Sequence, residues 1–300
     1  MNWKILVPFG AFIVCSLIWG STFLVISIGN DTVPPMWAAT IRLVLASLIL
    51  SVLVVLTRQK FPRGEALRAA LWYGFFEFGV NFSLLYWGEQ RVASGIAALL
   101  FATIPLSAML FARFFGLEQL NFMKLLSAVV ALLGVAIIFS GELSAGVPLL
   151  PFVAVVCAAT SASLATVLLK RGPAQSALAS NALGTAIGAL VCLIASVLLG
   201  EPRTIPQWWN QWFPILYLTL AGSVIAFVLF AWLVNRWDAS TVSFVSVIVP
   251  VVAITLGASI RQEHIATLSF AGATLVLIAV AVVLWNERRK TFEQTQKSAK

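Results

Sequence analysis

Apolar runs of about twenty residues, the length at which a helix covers the hydrocarbon core of a bilayer, recur ten times along this chain with only short connectors between them. Within that core every backbone N–H and C=O needs an internal partner, so only helices and closed barrels cross it. A barrel strand alternates apolar and polar residues over about ten positions, and these runs do not alternate. The predicted spans are Leu6–Ile28, Met36–Thr57, Ala69–Trp87, Ser94–Gly116, Met123–Ser140, Val147–Leu169, Ala179–Leu199, Phe213–Asn235, Ser240–Ile260 and Leu268–Trp285. The first is too long for a cleavable leader and lacks a small-residue cleavage site. Only 10% of the residues are charged and 61% are hydrophobic. A soluble domain carries about 25% charged residues. A water-soluble enzyme and a nucleic-acid binder are therefore excluded despite a net charge of +8. The fold class expected is an all-α polytopic membrane protein.

The charges orient the spans. With the N-terminus in the cytoplasm, fifteen of the nineteen Lys and Arg residues fall on the cytoplasmic side and three, Arg91, Arg203 and Arg261, on the other; Arg42 lies within a span. That asymmetry predicts both termini on the cytoplasmic side. The basic segment 287–300 is expected to lie as a disordered tail near anionic headgroups. Trp208, Trp209 and Trp212 read as an anchor at the outer interface. The three cysteines, Cys15, Cys157 and Cys192, fall inside spans, and the single histidine, His264, in a short outer connector. No metal-ligand spacing and no cofactor motif emerges. The phosphate-cradling pattern G-x-x-x-x-G-K-[ST] is absent, which argues against ATP-driven transport by this chain alone.

The chain is internally duplicated. A shift of 145 residues superimposes Phe82 on Phe227, Leu84 on Leu229, Trp87 on Trp232, Arg91 on Arg236, Pro105 on Pro250, Ala108 on Ala253 and Glu118 on Glu263; a shift of 142 superimposes Val14-Cys15 on Val156-Cys157. The expected organisation is a first five-helix repeat over 1–146, a second over 147–286, and the tail. Five is odd, so the second repeat enters the membrane from the opposite face. Inverted repeats of this kind underlie alternating access in many secondary transporters.

Trp19-Gly20-Ser21-Thr22-Phe23 in the first span, Arg42 in the second, and Ala97-Ala98-Leu99-Leu100-Phe101 followed by Pro105 and Glu118 resemble the drug/metabolite transporter superfamily, EamA type. Within it the chain is similar to the YddG-like amino-acid exporters. The resemblance extends over essentially the whole chain. It implies ten helices in inverted repeats around a central cavity, and export of small metabolites, amino acids including aromatic ones, across a bacterial inner membrane. The second repeat departs from the pattern, since Ser161-Ala162-Ser163 stands where Trp19-Gly20-Ser21 stands in the first.

Several residues are candidates for the chemistry. Pro105 and Pro250 occupy repeat-equivalent positions in mid-span. A proline there frees the carbonyl four residues earlier, which suits a kink beside a cavity, and both are expected to act as hinges. Glu77 in span three is costly to ionise in lipid, by roughly 2.5–3.5 kcal/mol on insertion scales, so it should face the bundle or water. Tyr73, Glu77 and Asn81 form one polar stripe, with Phe78 and Phe82 beside it. Arg42 is the obvious partner of Glu77; it either pairs with that carboxylate or holds a substrate carboxylate, leaving Glu77 to a substrate ammonium or a coupling proton. Ser16, Ser21 and Thr22, Thr160, Ser161 and Ser163, and Ser240, Ser243 and Ser246 are candidates for a wet path through spans one, six and nine, which the resemblance puts at the centre. Trp19, Phe78, Phe82, Phe101, Phe227 and Phe244 are candidate aromatic walls. The expected partners are a small-molecule substrate and the lipid bilayer. A membrane-embedded enzyme would need clustered catalytic groups, and a scaffold would more naturally carry an extramembrane domain.

Overall fold

The computed structural model describes residues 3–92, 94–138, 148–261 and 267–297. Their helices group into ten crossing units. The first repeat contains α1 (Trp3–Asn30), α2 (Pro35–Leu56), α3 (Glu65–Tyr73, a π-helical Gly74–Asn81, then Phe82–Gly88), α4 (Ser94–Phe101 and Ile104–Phe114) and α5 (Phe122–Ile138). The second contains α6 (Leu149–Arg171), α7 (Ala177–Leu198), α8 (Trp209–Tyr217, a π-helical Leu218–Ala226, then Phe227–Val234), α9 (Ala239–Val242 and Val245–Arg261) and α10 (Thr267–Lys297). Among the described residues there is no β-strand. Large apolar side chains such as Leu48, Val55, Leu133 and Leu198 point outward. A soluble protein would bury them; here they meet lipid tails.

The duplication seen in sequence is repeated in the helices. α2 and α7 each have 22 residues and are offset by 142 at both ends (35 to 177, 56 to 198). The two π-helical segments begin 144 residues apart (74 to 218). Packing follows the same pseudo-two-fold relation. α2 lies along α7, and α5 along α10; α7 crosses the π segment of α3, as α2 crosses that of α8. α1 packs on α8 and α9, as α6 packs on α3 and α4. Contacts between helix ends fix the polarity. Glu201 at the end of α7 meets the start of α2, whereas Gly172 at the end of α6 sits over Ala69 at the start of α3. The first helices of the two repeats therefore run in opposite directions through the membrane, and the repeats are inverted.

Small residues let the helices approach. A Cβ on Gly74 would lie 2.5 Å from the Cα of Gly184, and one on Gly188 would lie 2.2 Å from the Cβ of Phe78. Without a hydrophobic drive between helices in lipid, such close contact supplies the packing energy. Glu201 caps the start of α2 by accepting from Met36 N (3.1 Å) and Trp37 N (2.9 Å). Two bare N–H donors at a positive helix end thus receive a carboxylate from the other repeat.

Two sequence expectations are corrected. The basic tail is not irregular: α10 continues through Lys297. Beyond Trp285 it is mostly Glu, Arg, Lys and Gln, which are good helix formers and extend an existing helix at little cost. The interruption of α9 lies not at Pro250, which sits inside Val245–Arg261, but at Ser243–Phe244, more than a turn earlier. In α4 the interruption at Ala102–Thr103 lies just before Ile104–Pro105, and Pro105 occupies the first turn of the restarted helix, where its missing N–H costs nothing. His264 and Glu263 lie outside the described residues. Trp208 and Trp209 are 69% and 70% exposed, at the end of the bundle opposite the chain termini.

Candidate functional site

The two π-helical segments sit at the centre of the bundle. A π turn places one more residue per turn than an α-helix and leaves carbonyls without their usual partners. In each repeat those carbonyls are taken by the first helix of the other repeat. Ser161 Oγ in α6 donates to Phe76 O in α3 (2.7 Å). Trp19 Nε1 and Cys15 Sγ in α1 donate to Gly222 O (3.4 Å) and Ala226 O (3.4 Å) in α8. Trp19 and Ser161 are the residues that the shift of 142 superimposes, so one device is used twice with different side chains.

Between the π segments lies a cavity of about 710 Å³, counting its open mouth. Its wall comes from α1, α2, α3, α4, α6, α8 and α9 and is mostly apolar; Trp19, Phe23, Phe82, Phe101, Phe227 and Phe230 supply the rings. Trp19 lies 4.8 Å from Phe227 and 4.9 Å from Phe230, centroid to centroid. Into this wall are set the ionisable side chains Arg42 and Glu77.

Arg42 is 3% exposed. Its Nε donates to Ser223 Oγ at 2.8 Å and its Nη1 to Tyr86 Oη at 3.0 Å, and its guanidinium stands 4.7 Å from the centre of the Phe82 ring. The space it fills exists because residue 222 is glycine, since a Cβ there would come within 2.9 Å of Nη2. Gly222 is the repeat mate of Glu77, and Gly184 that of Arg42. The pseudo-symmetry of the backbone is thus broken by one basic and one acidic side chain, and Arg42 faces a glycine of the other half, Gly222. Glu77, 5% exposed, accepts from Asn81 Nδ2 at 3.0 Å. The ion pairs among the described residues lie elsewhere, so Arg42 and Glu77 are not paired with each other or with another charge. The groups that hold Arg42 are two neutral hydroxyl acceptors and a ring face. A charge buried without a counter-ion is costly, and an anion in the cavity would relieve that cost for Arg42 as a cation would for Glu77.

A smaller hollow of about 260 Å³ lies on the side away from the termini, lined by residues that include Asn30, Gln211 and Pro214. It shares Ile26, Arg42 and Tyr86 with the central cavity, so the Arg42–Tyr86 hydrogen bond stands on the boundary between the two.

Of the residues singled out from sequence, the structure brings Trp19, Thr22, Arg42, Glu77, Asn81, Phe82, Phe101 and Phe227 to the cavity, with Ser243 and Ser246. Others lie off its wall. Ser16 and Thr160 donate to carbonyls four residues earlier in their own helices, and Ser240 accepts from Lys124 Nζ. Ser21 bonds Tyr217 Oη at 2.6 Å. Phe78 is fully buried behind the wall, 4.5 Å from Phe227 and against Gly184 and Gly188. Ser161 is spent on Phe76 O, and Ser163 on Ala159 O and Ile104 O, tying α6 to α4. Phe244 is fully buried at the interruption of α9. Pro105 and Pro250 flank the cavity without lining it. Tyr73 leaves the expected polar stripe and donates to Asn181 Oδ1 at 3.2 Å.

Sequence reasoning missed Tyr86, Ser223 and Phe230. Tyr86 was findable: it continues the Phe78, Phe82 series at the same spacing of four. Ser223 and Phe230 have no local signal, because they become neighbours of Arg42 and Trp19 only when the repeats interlock.

A family model described as the EamA-like transporter family matches residues 8–140 and again residues 149–285. The protein named "Uncharacterized inner membrane transporter YedA" of Escherichia coli (strain K12) is 28% identical over 285 residues, which cover 94% of this chain and 92% of that one. "Protein PagO" of Salmonella typhimurium is 26% identical over 281 residues, 91% and 89% of the two chains. A solved crystal structure at 18% identity superimposes with a TM-score of 0.76 over 96% of this chain and 99% of that chain, a likeness of fold.

Proposed function

The chain belongs to the EamA-like transporter family, and from that premise we propose that it is a secondary exporter of amino acids, aromatic ones among them, across a bacterial inner membrane. The observation that carries the substrate class is the unpaired Arg42 and Glu77 in one aromatic-walled cavity. A free amino acid offers a carboxylate for the guanidinium, an ammonium for the carboxylate, and an apolar side chain for the rings. Each buried charge gains a counter-ion only when substrate is present, so binding energy is concentrated on compounds that carry both groups. The rings supply contact area that tolerates different side chains.

Transport proceeds by alternating access. The inverted repeats give two related arrangements of nearly equal packing, and rocking between them opens the cavity to one side and then the other. The interruptions of α4 and α9, next to Pro105 and before Pro250, lack continuous helical hydrogen bonding and are where bending costs least. The excess of Lys and Arg on the side of the termini supports a cytoplasmic location for both. Names of relatives such as that of the Escherichia coli protein support the inner membrane as its location.

The test is counterflow in proteoliposomes. Purified protein is reconstituted with unlabelled amino acid inside, and uptake of the labelled compound is followed across a panel. Accumulation above protein-free liposomes supports the reading; no exchange of any member of the panel refutes it.

A further inference from the structure

On the side of the termini, α4, α5 and the start of α9 meet. Four polar side chains cluster there. Lys124, at the start of α5, places its Nζ 2.8 Å from Asp238 Oδ2, 2.9 Å from Ser240 Oγ and 3.6 Å from Glu118 Oε2. Glu118 also accepts from Ser240 N (3.2 Å) and from the Ser240 hydroxyl. The Lys124 side chain is 9% exposed and that of Glu118 13%, whereas Asp238 is 36% exposed.

Three features distinguish this cluster from an ordinary surface ion pair. It joins the repeats, since Glu118 and Lys124 belong to the first and Asp238 and Ser240 to the second. It holds a very short element: Ala239–Val242 is a single helical turn, buried at every residue, whose start is fastened by Glu118. And that turn ends at the Ser243–Phe244 interruption, whose Ser243 lines the cavity one residue beyond it. A pull on the cluster is therefore transmitted directly to the cavity wall. Its position at the edge of water also matters. Charges separated there rehydrate, so opening does not leave bare ions in hydrocarbon as it would at mid-membrane.

We propose that Glu118, Lys124, Asp238 and Ser240 are the gate that shuts the cavity on the side of the termini. The turn Ala239–Val242 is its moving part and Ser243–Phe244 its hinge. The structure is the state closed on that side, with Arg42–Tyr86 bordering the way out on the other. Loading from the termini side requires the Lys124 contacts to part. This rests on the alternating-access reading given above, and adds to it which side chains hold one of its two end states.

The test reads accessibility and needs no substrate. Ser246, in the cavity wall, is changed to Cys in a protein whose exposed Cys157 is replaced by Ser. Labelling by a membrane-impermeant maleimide is then timed from each face of oriented vesicles. Lys124→Gln is expected to raise the labelling rate from the termini side about fivefold or more and to lower it from the other side. Lys124→Arg, which keeps the charge, should restore the original rates. Unchanged rates in a Lys124→Gln protein with an ordinary thermal melt would overturn the gate. If that variant does not fold, a Glu118→Cys, Ser240→Cys pair in a cysteine-free chain decides. Oxidation should stop counterflow and reduction restore it, and counterflow at the reduced rate after verified cross-linking overturns the proposal. Absence of counterflow in the unmodified protein would instead remove the transport reading, so the two failures are separable.

Discussion

Gly222→Ala puts the smallest possible change beside the largest electrostatic feature of the cavity. The new Cβ would lie 2.9 Å from Arg42 Nη2 and 3.2 Å from Thr22 Cγ2. A comfortable carbon contact is about 3.5 Å or more, so the guanidinium must withdraw by roughly 0.6 Å. It cannot do so freely: the 2.8 Å bond to Ser223 and the 3.0 Å bond to Tyr86 hold it on two sides. One of those bonds is lost or badly stretched, and a hydrogen bond to a charged group is worth about 1.5–3 kcal/mol. If the position of Arg42 sets the carboxylate site, this amounts to roughly a ten- to hundredfold rise in the half-saturating concentration for amino-acid exchange, at about 1.4 kcal/mol per tenfold. The same bond is lost from the substrate-free protein, so the melting temperature should fall as well. The assay is concentration-dependent counterflow beside a thermal melt in detergent. A variant with unaltered half-saturation would show that the geometry of Arg42 does not govern binding.

Other substitutions separate packing from recognition. Gly188→Ala drives a Cβ to within 2.2 Å of Phe78 Cβ and 2.8 Å of Phe78 C, neither of which can swing aside. Overpacking of about 1–3 kcal/mol should lower the melting temperature, and an unchanged melt would refute the close α3–α7 contact. Glu201→Ala removes the carboxylate that caps α2; a cost of about 1 kcal/mol, typical of a lost N-cap, should appear as a lower melting temperature with substrate half-saturation unchanged. Glu77→Gln retains an oxygen to accept from Asn81, so the protein should fold as before. It should lose exchange of amino acids, and normal exchange at every pH tested would eliminate Glu77 from substrate binding and from proton coupling alike.

Hydropathy and charge made the membrane architecture legible because lipid imposes strong, one-dimensional constraints: span length, internal hydrogen bonding, and Lys and Arg kept to one side. The duplication was legible for the same reason, through offsets that the helices reproduce. The cavity was most legible where a residue is expensive in lipid. Arg42, Glu77 and Asn81 could not face hydrocarbon, and the structure brings them to the central wall. Uncharged residues carried no such penalty. Phe78 belongs on the same α-helical stripe as Phe82, yet the π turns of Gly74–Asn81 alter the register, and Phe78 ends behind the wall against Gly184 and Gly188. Ser161 and Ser163 looked like lining for a wet path, but the carbonyls of a π segment and of a broken helix attract hydroxyls first. Neither the π segments nor the interruption at Ser243–Phe244 has a sequence signature that hydropathy can register. In the sequence Lys124 is one positive charge among fifteen, and two of its three partners, Asp238 and Ser240, lie more than a hundred residues away in the other repeat.

The central claim is that two unpaired charges in an aromatic cavity each receive one end of the substrate. It is tested most directly by counterflow of labelled phenylalanine against three unlabelled internal compounds: phenylalanine itself, its carboxamide, and its desamino acid. Exchange with phenylalanine and little with either analogue is the predicted result. Equal exchange with all three, or with none, would contradict it.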